Sequence, residues 1–200
     1  MSQQLAKVLS YLFHPVIYPV LGLLIILNVG PFYVPSQIIN LSLAFVFTGT
    51  YIIPLLVSFL MLRLKIVASL EMKEAKDRRW PYLIGCISFY FTAAALEKIG
   101  LSNDVYLYIQ ASAIVILLHF SMLKFWKPSA HLGAIGGFTG LLMAISLKYF
   151  IGLLPLIALC ILVAGFLATA RLKLKAHSPG ELVFGYFSGL LIVGLVVYSL

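Results

Sequence analysis

The chain has 200 residues, of which 62% are hydrophobic and only 10% are charged, and its formal net charge is +8. A soluble domain of this length needs more charge to cover its surface, so a mean hydropathy of +1.09 excludes an ordinary soluble protein. The basic residues form short groups between apolar runs rather than one long tail, which argues against nucleic acid as a partner and for a lipid bilayer.

Apolar runs bounded by Pro, Gly, Asn or charged residues predict an all-α fold, a polytopic transmembrane bundle of six to seven spans. The first two runs lie within 55 residues, 8–62, that contain no Asp, Glu, Lys or Arg, which is enough for two spans and a turn. No linker or low-complexity segment interrupts the chain, so residues 1–200 are predicted to form a single transmembrane domain. The predicted spans are 10–29, 41–62, 82–98, 105–123, 131–148, 151–169 and 181–199.

The loops between these runs are of two kinds. Those after the second, fourth and sixth spans are basic and contain "RLKIVASLEMKEAKDRRWP", "KFWKPSA" and "ARLKLKAHSPG", whereas the other three are nearly neutral. With seven spans, the basic loops fall on the same side of the membrane as the N-terminus. This arrangement gathers most of the unusual polar residues on one surface.

The last of these loops contains a candidate catalytic pair. His177 and Glu181 are four residues apart, so at the start of a helix the carboxylate can accept a hydrogen bond from one ring nitrogen. That bond fixes the tautomer and leaves the other nitrogen unprotonated, as a nucleophile requires. The alternative is structural: Glu181 is a capping carboxylate at a helix N-terminus and His177 is an interfacial residue.

Further residues on the same surface suit a phosphate group. Ser129 and His131 open the fifth span, where helix amides without partners can bind phosphate. Arg171 can make a bidentate contact with phosphate oxygens. Phosphoryl transfer requires a nucleophile, a general acid and cations around the transferred oxygens. No carboxylate cluster suited to Mg²⁺ lies nearby in the sequence, so we expect no metal ion or other cofactor.

These motifs resemble those of the type 2 phosphatidic acid phosphatase family, which also contains the vanadium haloperoxidases. The family motifs are KxxxxxxRP, PSGH and SRxxxxxHxxxD. Here "PSAH" matches the second with Ala130 for Gly, and "ARLKLKAHSPGE" matches the third with Glu181 for Asp. The first corresponds to "KEAKDRRWP", where Trp80 stands in place of the family's arginine and Lys73 and Arg79 are the candidate cations. The resemblance covers a phosphatase-like core of about 63–199.

The resemblance implies a metal-independent integral membrane enzyme that hydrolyses a phosphomonoester or diphosphate of a membrane lipid. His177 would attack phosphorus and form a phosphohistidine, Glu181 would orient the ring of His177, and His131 would protonate the leaving group. The residues implied to hold the phosphoryl oxygens are Arg171, Ser129, Ala130, Arg79 and Lys73.

Two other functions remain open on the sequence. A non-catalytic protein that binds or transports lipid phosphates on the same fold would bind phosphate without turnover. A metal site formed by His131, His177 and Glu181 would be sensitive to chelators. The remaining histidines, His14 and His119, lie within predicted spans and are interpreted as structural.

The sequence gives conflicting indications of orientation in the membrane, which is expected to be the cell membrane. The positive-inside rule favours a cytoplasmic position for the basic loops and therefore for the candidate site. The family resemblance implies a site on the extracytoplasmic face.

Overall fold

The computed structural model describes residues 1–31, 33–69 and 74–200, and in these ranges the regular structure is entirely helical. Within these ranges, seven segments are long and apolar enough to cross a membrane, which confirms the predicted all-α fold and is compatible with an integral membrane protein. The helices are α1 (Gln3–Leu12), α2 (Tyr18–Val29), α3 (Ser36–Phe47), α4 (Ile53–Arg63), α5 (Ala75–Ile99), α6 (Asn103–Met122), α7 (Ala130–Tyr149), α8 (Leu154–Lys173) and α9 (Pro179–Ser199).

The first two spans are each interrupted once. Between α1 and α2 lies a single 3₁₀ turn, Pro15–Ile17, because proline has no amide hydrogen for a continuous helix. His14 caps this turn, with its Nδ1 accepting a hydrogen bond from the Val16 amide at 3.4 Å. Between α3 and α4 the chain makes a π-helical turn, Thr48–Ile52.

The first span begins at Gln3, well before the predicted residue 10. Helix α1 is amphipathic and packs on α8, and its buried residues are Ala6 and Ser10. Polar residues such as Lys7 lie on its other sides, so average hydropathy does not mark this helix as part of a span. The early start brings α1 to the same end of the bundle as the C-terminus of α8.

Helices α7 and α9 form the most extensive helix pair in the structure. Glycines make this contact possible: a methyl group on Gly136 would overlap the carbonyl oxygen of Tyr186, and one on Gly189 would overlap that of Gly133. Close backbone approach at small residues is a common source of helix association in membranes. The pairing places the N-termini of α7 and α9 side by side.

The opposite end of the bundle is joined by a buried charge cluster. Asp104, at the start of α6, is 1% exposed and lies 3.0 Å from Lys148 Nζ near the end of α7. Lys148 also donates a hydrogen bond to the carbonyl of Val197 in α9 at 3.2 Å, and the Tyr149 hydroxyl donates to Asp104. Three helices are thus tied together at the end remote from the candidate site.

Candidate functional site

Glu181 both caps the N-terminus of α9 and orients His177, the two roles that the sequence left as alternatives. Helix α9 starts with a capping box in which Ser178 Oγ accepts from the Glu181 amide and Glu181 Oε2 accepts from the Ser178 amide at 3.0 Å. The same carboxylate oxygen lies 3.1 Å from His177 Nδ1. The cap therefore fixes the carboxylate in the position from which it orients the histidine.

The partners of His177 determine its tautomer. Besides Glu181, Nδ1 lies 3.0 Å from the carbonyl oxygen of Lys127. Both partners can only accept a hydrogen bond, so Nδ1 carries the proton and Nε2 of the neutral ring keeps its lone pair. The result is an imidazole with the protonation pattern of a nucleophile.

The surroundings of His177 keep this ring neutral. Its side chain is only 1% exposed, and the pKa of His177 is lowered to about 4. Burial is the largest cause, the positive charges of Arg78 and Arg171 add to it, and Glu181 opposes the shift. Near pH 7 the Nε2 lone pair is therefore available.

A loop between α6 and α7 is clamped onto the start of α9. Glu181 Oε1 accepts a hydrogen bond from the Lys127 amide at 3.1 Å, and the Glu181 carbonyl accepts one from the Ser129 amide at 3.1 Å. Ser129 is fully buried and caps α7 by accepting from the Leu132 amide at 3.4 Å. The first-turn amides of Ala130 and His131 lack carbonyl partners within their own helix by geometry. The clamp thus joins the start of α7, which carries these amides, to the partner of His177.

His131 is anchored by α1. Its Nε2 lies 3.1 Å from the carbonyl oxygen of Ser10, so Nε2 carries a proton and Nδ1 is the nitrogen that can exchange one. The ring also makes an edge contact with the ring of His14, at 5.4 Å between centroids. The hydroxyl of the same Ser10 accepts a hydrogen bond from Arg171, so one residue of α1 joins His131 to Arg171.

Arg171 lies in the last turn of α8 and presents an incompletely paired guanidinium. Its Nη1 donates to Ser10 Oγ at 3.4 Å, a long hydrogen bond. Its Nε is buried and has no hydrogen-bond partner within the described part of the chain. Ser10 contacts both Arg171 and His131, but no sequence pattern indicates this, because only the packing of α1 on α8 brings Ser10 to the site.

The arginine of α5 in the site is Arg78. It is 7% exposed, and its Nη1 lies 3.3 Å from both the Pro128 carbonyl oxygen and the Tyr82 hydroxyl. The neighbouring Arg79, which was proposed from the sequence, is exposed on the outside of the helix. Consecutive helix residues point in different directions, and the phase of α5 directs Arg78 inward with Asp77 while Arg79 faces outward. Lys73, the other proposed cation, lies outside the described residues.

Among the described residues, three cations lie at this end of the bundle, Arg78, Lys127 and Arg171, together with the carboxylate of Glu181. A second carboxylate, Asp77, is buried next to Arg78 on α5. The pKa of Lys127 is lowered, first by burial and then by the charge of Arg78, while Glu181 opposes the shift and Arg171 adds a smaller contribution to it. Neighbouring cations that lower one another's pKa are stabilised by an anion that carries more than one negative charge, such as phosphate. In the described ranges, no three His, Cys, Asp or Glu side chains are grouped so that they could hold a metal ion, which counts against the metal-site alternative.

The two remaining histidines have structural partners. His119 Nε2 lies 2.9 Å from Ser188 Oγ, in a buried contact between α6 and α9, as expected of a histidine that joins two helices. His14 caps the 3₁₀ turn and contacts the ring of His131.

Comparison with known proteins gives no match, because no family model fits the chain and no curated protein or solved structure is significantly similar to it. The resemblance to the phosphatase family thus rests on the motifs alone. Of the residues it singles out, the structure brings together His177, Glu181, His131, Arg171, Ser129 and Ala130.

Proposed function

We propose that the protein is an integral membrane phosphatase that hydrolyses a phosphomonoester or diphosphate of a membrane lipid without a metal ion. The observation that carries this proposal is the state of His177. Its Nδ1 proton is held by Glu181 and the Lys127 carbonyl, while its ring lies within the electrostatic reach of Arg78 and Arg171. A neutral nucleophile beside cations suits attack on a phosphate group.

In the first step, His177 Nε2 attacks phosphorus and forms a P–N bond. The bond from phosphorus to the leaving oxygen breaks, and its electron pair remains on that oxygen. His131, protonated on both nitrogens once an anionic substrate is bound, gives the Nδ1 proton to the leaving oxygen. It then has the Nε2–H tautomer that its contact with the Ser10 carbonyl favours.

In the second step, water hydrolyses the phosphohistidine. His131 Nδ1 takes a proton from the water as its oxygen attacks phosphorus, and the P–N bond breaks with its electron pair returning to His177. Arg171, Arg78 and the first-turn amides of α7 stabilise the phosphoryl oxygens throughout both steps. The site is then ready for another substrate.

The position of the site suits a lipid substrate. It lies where α7, α8 and α9 begin or end, so a head group can reach His177 while the hydrocarbon part stays among the helices. The basic loops favour a cytoplasmic site under the positive-inside rule. In intact cells, Lys124→Cys should then resist a membrane-impermeant thiol reagent, and rapid labelling would instead place the site outside.

The test of the proposed function is phosphate release by the purified protein in detergent, from a panel of lipid phosphates and in the presence of EDTA. We expect turnover that persists in EDTA, is lost in His177→Ala and is retained in Lys175→Ala, an exposed neighbour. Binding of lipid phosphate with no release would support the binding or transport function. Release that EDTA abolishes would support a metal-dependent site.

A further inference from the structure

A cavity of about 250 Å³ lies inside the bundle between α2, α5, α6 and α7. Its wall includes Tyr82, Gly85 and Phe89 on α5, and Ala130 and Gly137 on α7. The rise of an α-helix makes the distance from Tyr82 to Phe89, or from Ala130 to Gly137, about 10 Å along the helix axis. The cavity is therefore a slot that runs along the helices rather than a shallow surface depression.

One end of this slot adjoins the candidate site. The hydroxyl of Tyr82, a wall residue, lies 3.3 Å from Arg78 Nη1. The ring of His14, also in the wall, contacts the ring of His131. Ala130 belongs both to the wall and to the helix start proposed to hold phosphate. A molecule whose phosphate occupies the site can thus continue directly into the slot.

The interior of the slot is suited to a hydrocarbon. Most of its polar side chains are turned to partners within the protein: the Tyr108 hydroxyl donates to the Tyr18 carbonyl at 2.8 Å, and His119 is bonded to Ser188. The Tyr18 hydroxyl is an exception, being buried with no partner among the described residues. Phe89 and Val193 contribute apolar surface to the wall. Such a wall offers a ligand mainly dispersion and desolvation rather than hydrogen bonds.

The volume limits what can enter. An apolar protein cavity of about 150 Å³ accommodates benzene, so in proportion 250 Å³ accommodates roughly ten carbon atoms. This matches the first part of one hydrocarbon chain and is too small for two chains side by side. A slot of this volume can therefore hold one of the chains next to the phosphate of a lipid and leaves no room for a second.

We propose that this slot receives the hydrocarbon chain of the substrate, and that the substrate is a lipid phosphate or diphosphate with a single chain, straight or isoprenoid, rather than a diacyl lipid. This assignment rests on the proposed phosphatase function. It adds the class of lipid, which the phosphate-binding residues do not determine.

Gly85 provides a way to fill the slot. It is buried, yet a methyl group placed on it would meet no atom within 4 Å, because it borders the empty space. Gly165 on α8 likewise has no atom within 4 Å of an added methyl group, but it lies on the exposed side of its helix. Gly85→Leu and Gly165→Leu thus add the same group to a helix, in the first case inside the slot and in the second outside it.

The experiment measures kcat/KM for dodecyl phosphate, a diacyl phosphatidic acid and the short soluble ester p-nitrophenyl phosphate. For wild type we expect dodecyl phosphate to be preferred over both others. Gly85→Leu should lower kcat/KM for dodecyl phosphate about tenfold or more, as expected for an obstructed apolar pocket, with little change for p-nitrophenyl phosphate. Gly165→Leu should resemble wild type with every substrate.

The outcomes separate this inference from the proposed function. Phosphate release that prefers the diacyl lipid, or that Gly85→Leu leaves unchanged for dodecyl phosphate, would overturn the single-chain assignment and leave the phosphatase intact. An equal loss in Gly85→Leu and Gly165→Leu, or for the soluble ester as well, would also overturn it. No release by the wild-type protein from any of the three compounds, or from a single-chain isoprenoid diphosphate measured beside them, would overturn the proposed function itself.

Discussion

His177 and Glu181 are joined by a hydrogen bond of 3.1 Å between Nδ1 and Oε2, and the same carboxylate caps the helix that follows. The position of the proposed nucleophile is therefore coupled to the folding of α9. A second acceptor, the Lys127 carbonyl at 3.0 Å, holds the same proton. The tautomer of His177 thus depends on both a side chain and the backbone of the neighbouring loop.

Replacing Glu181 tests whether its carboxylate does more for His177 than select the tautomer of the ring. Glu181→Gln removes the charge that stabilises the ring during attack, but the Lys127 carbonyl still selects the Nδ1–H tautomer. We therefore expect kcat to fall by about 10- to 100-fold, the usual effect of a residue that acts through another. Ser178→Ala is the control: it removes the side-chain cap, which costs about 1 kcal/mol of stability, and should leave kcat near that of wild type. An equal loss of kcat in both variants would mean that Glu181 acts only as a cap.

The adjacent arginines of α5 provide a matched pair. Arg78→Ala removes a buried cation from the site, so kcat/KM for lipid phosphate should fall by about 10²–10³-fold. Arg79→Ala removes an exposed cation of the same helix and should have little effect. Because Arg78 also supports the Pro128 carbonyl, Arg78→Lys tests charge with less structural loss and should recover part of the activity. A larger loss in Arg79→Ala than in Arg78→Ala would contradict this arrangement.

The lowered pKa of His177 predicts how activity depends on pH. Only the neutral ring can attack, so the contribution of His177 to kcat/KM should be level through neutral pH and decline as the pH falls through about 4. In Arg78→Ala the decline should move to higher pH, because one positive charge that disfavours protonation is gone, but should stay below 6.5 because burial remains. Ionisation of the substrate affects both proteins equally and cancels in their ratio. A decline at the same pH in both proteins would contradict the proposed electrostatic coupling.

Asp104 and Lys148 form a buried ion pair at the end of the bundle remote from His177. Breaking this pair should lower the stability of the protein without lowering its activity. Asp104→Asn leaves Lys148 without its ion-pair partner, so the free energy of unfolding should fall by about 3 kcal/mol. Glu97→Gln, which changes an exposed carboxylate near the same end, should change stability by less than about 0.5 kcal/mol. Thermal unfolding in detergent measures both variants. Asp104→Asn should retain phosphate release per folded molecule, and a specific loss of kcat would show that the two ends are coupled.

The membrane-spanning architecture could be predicted from the sequence because it depends on local properties. The length and hydropathy of each run define the spans, and the four-residue spacing of His177 and Glu181 places them together within one helix start. The end of α1 that contributes Ser10 could not be predicted in this way. Its place in the site depends on the packing of an amphipathic helix on α8, which no local pattern encodes.

The sequence also could not predict which of Arg78 and Arg79 faces the candidate site. Both are next to each other in a charged segment, and the helix phase of α5 relative to the bundle decides which of them is buried. The Tyr82 hydroxyl, one turn from Arg78, was an available signal, since residues four apart share a helix face. Without knowledge of which face of α5 is directed inward, that signal did not distinguish an internal pair from an exposed one.

The central claim, that His177 is a nucleophile, is tested most directly by trapping the intermediate. Wild-type protein is mixed with a ³²P-labelled lipid phosphate, quenched in alkali, and digested so that the labelled peptide can be sequenced by mass spectrometry. We predict an acid-labile, alkali-stable phosphate on His177 that is absent from His177→Ala and accumulates when transfer to water is slowed. Turnover of the lipid phosphate by His177→Ala at the wild-type rate, or a stable label on a different residue, would contradict the claim.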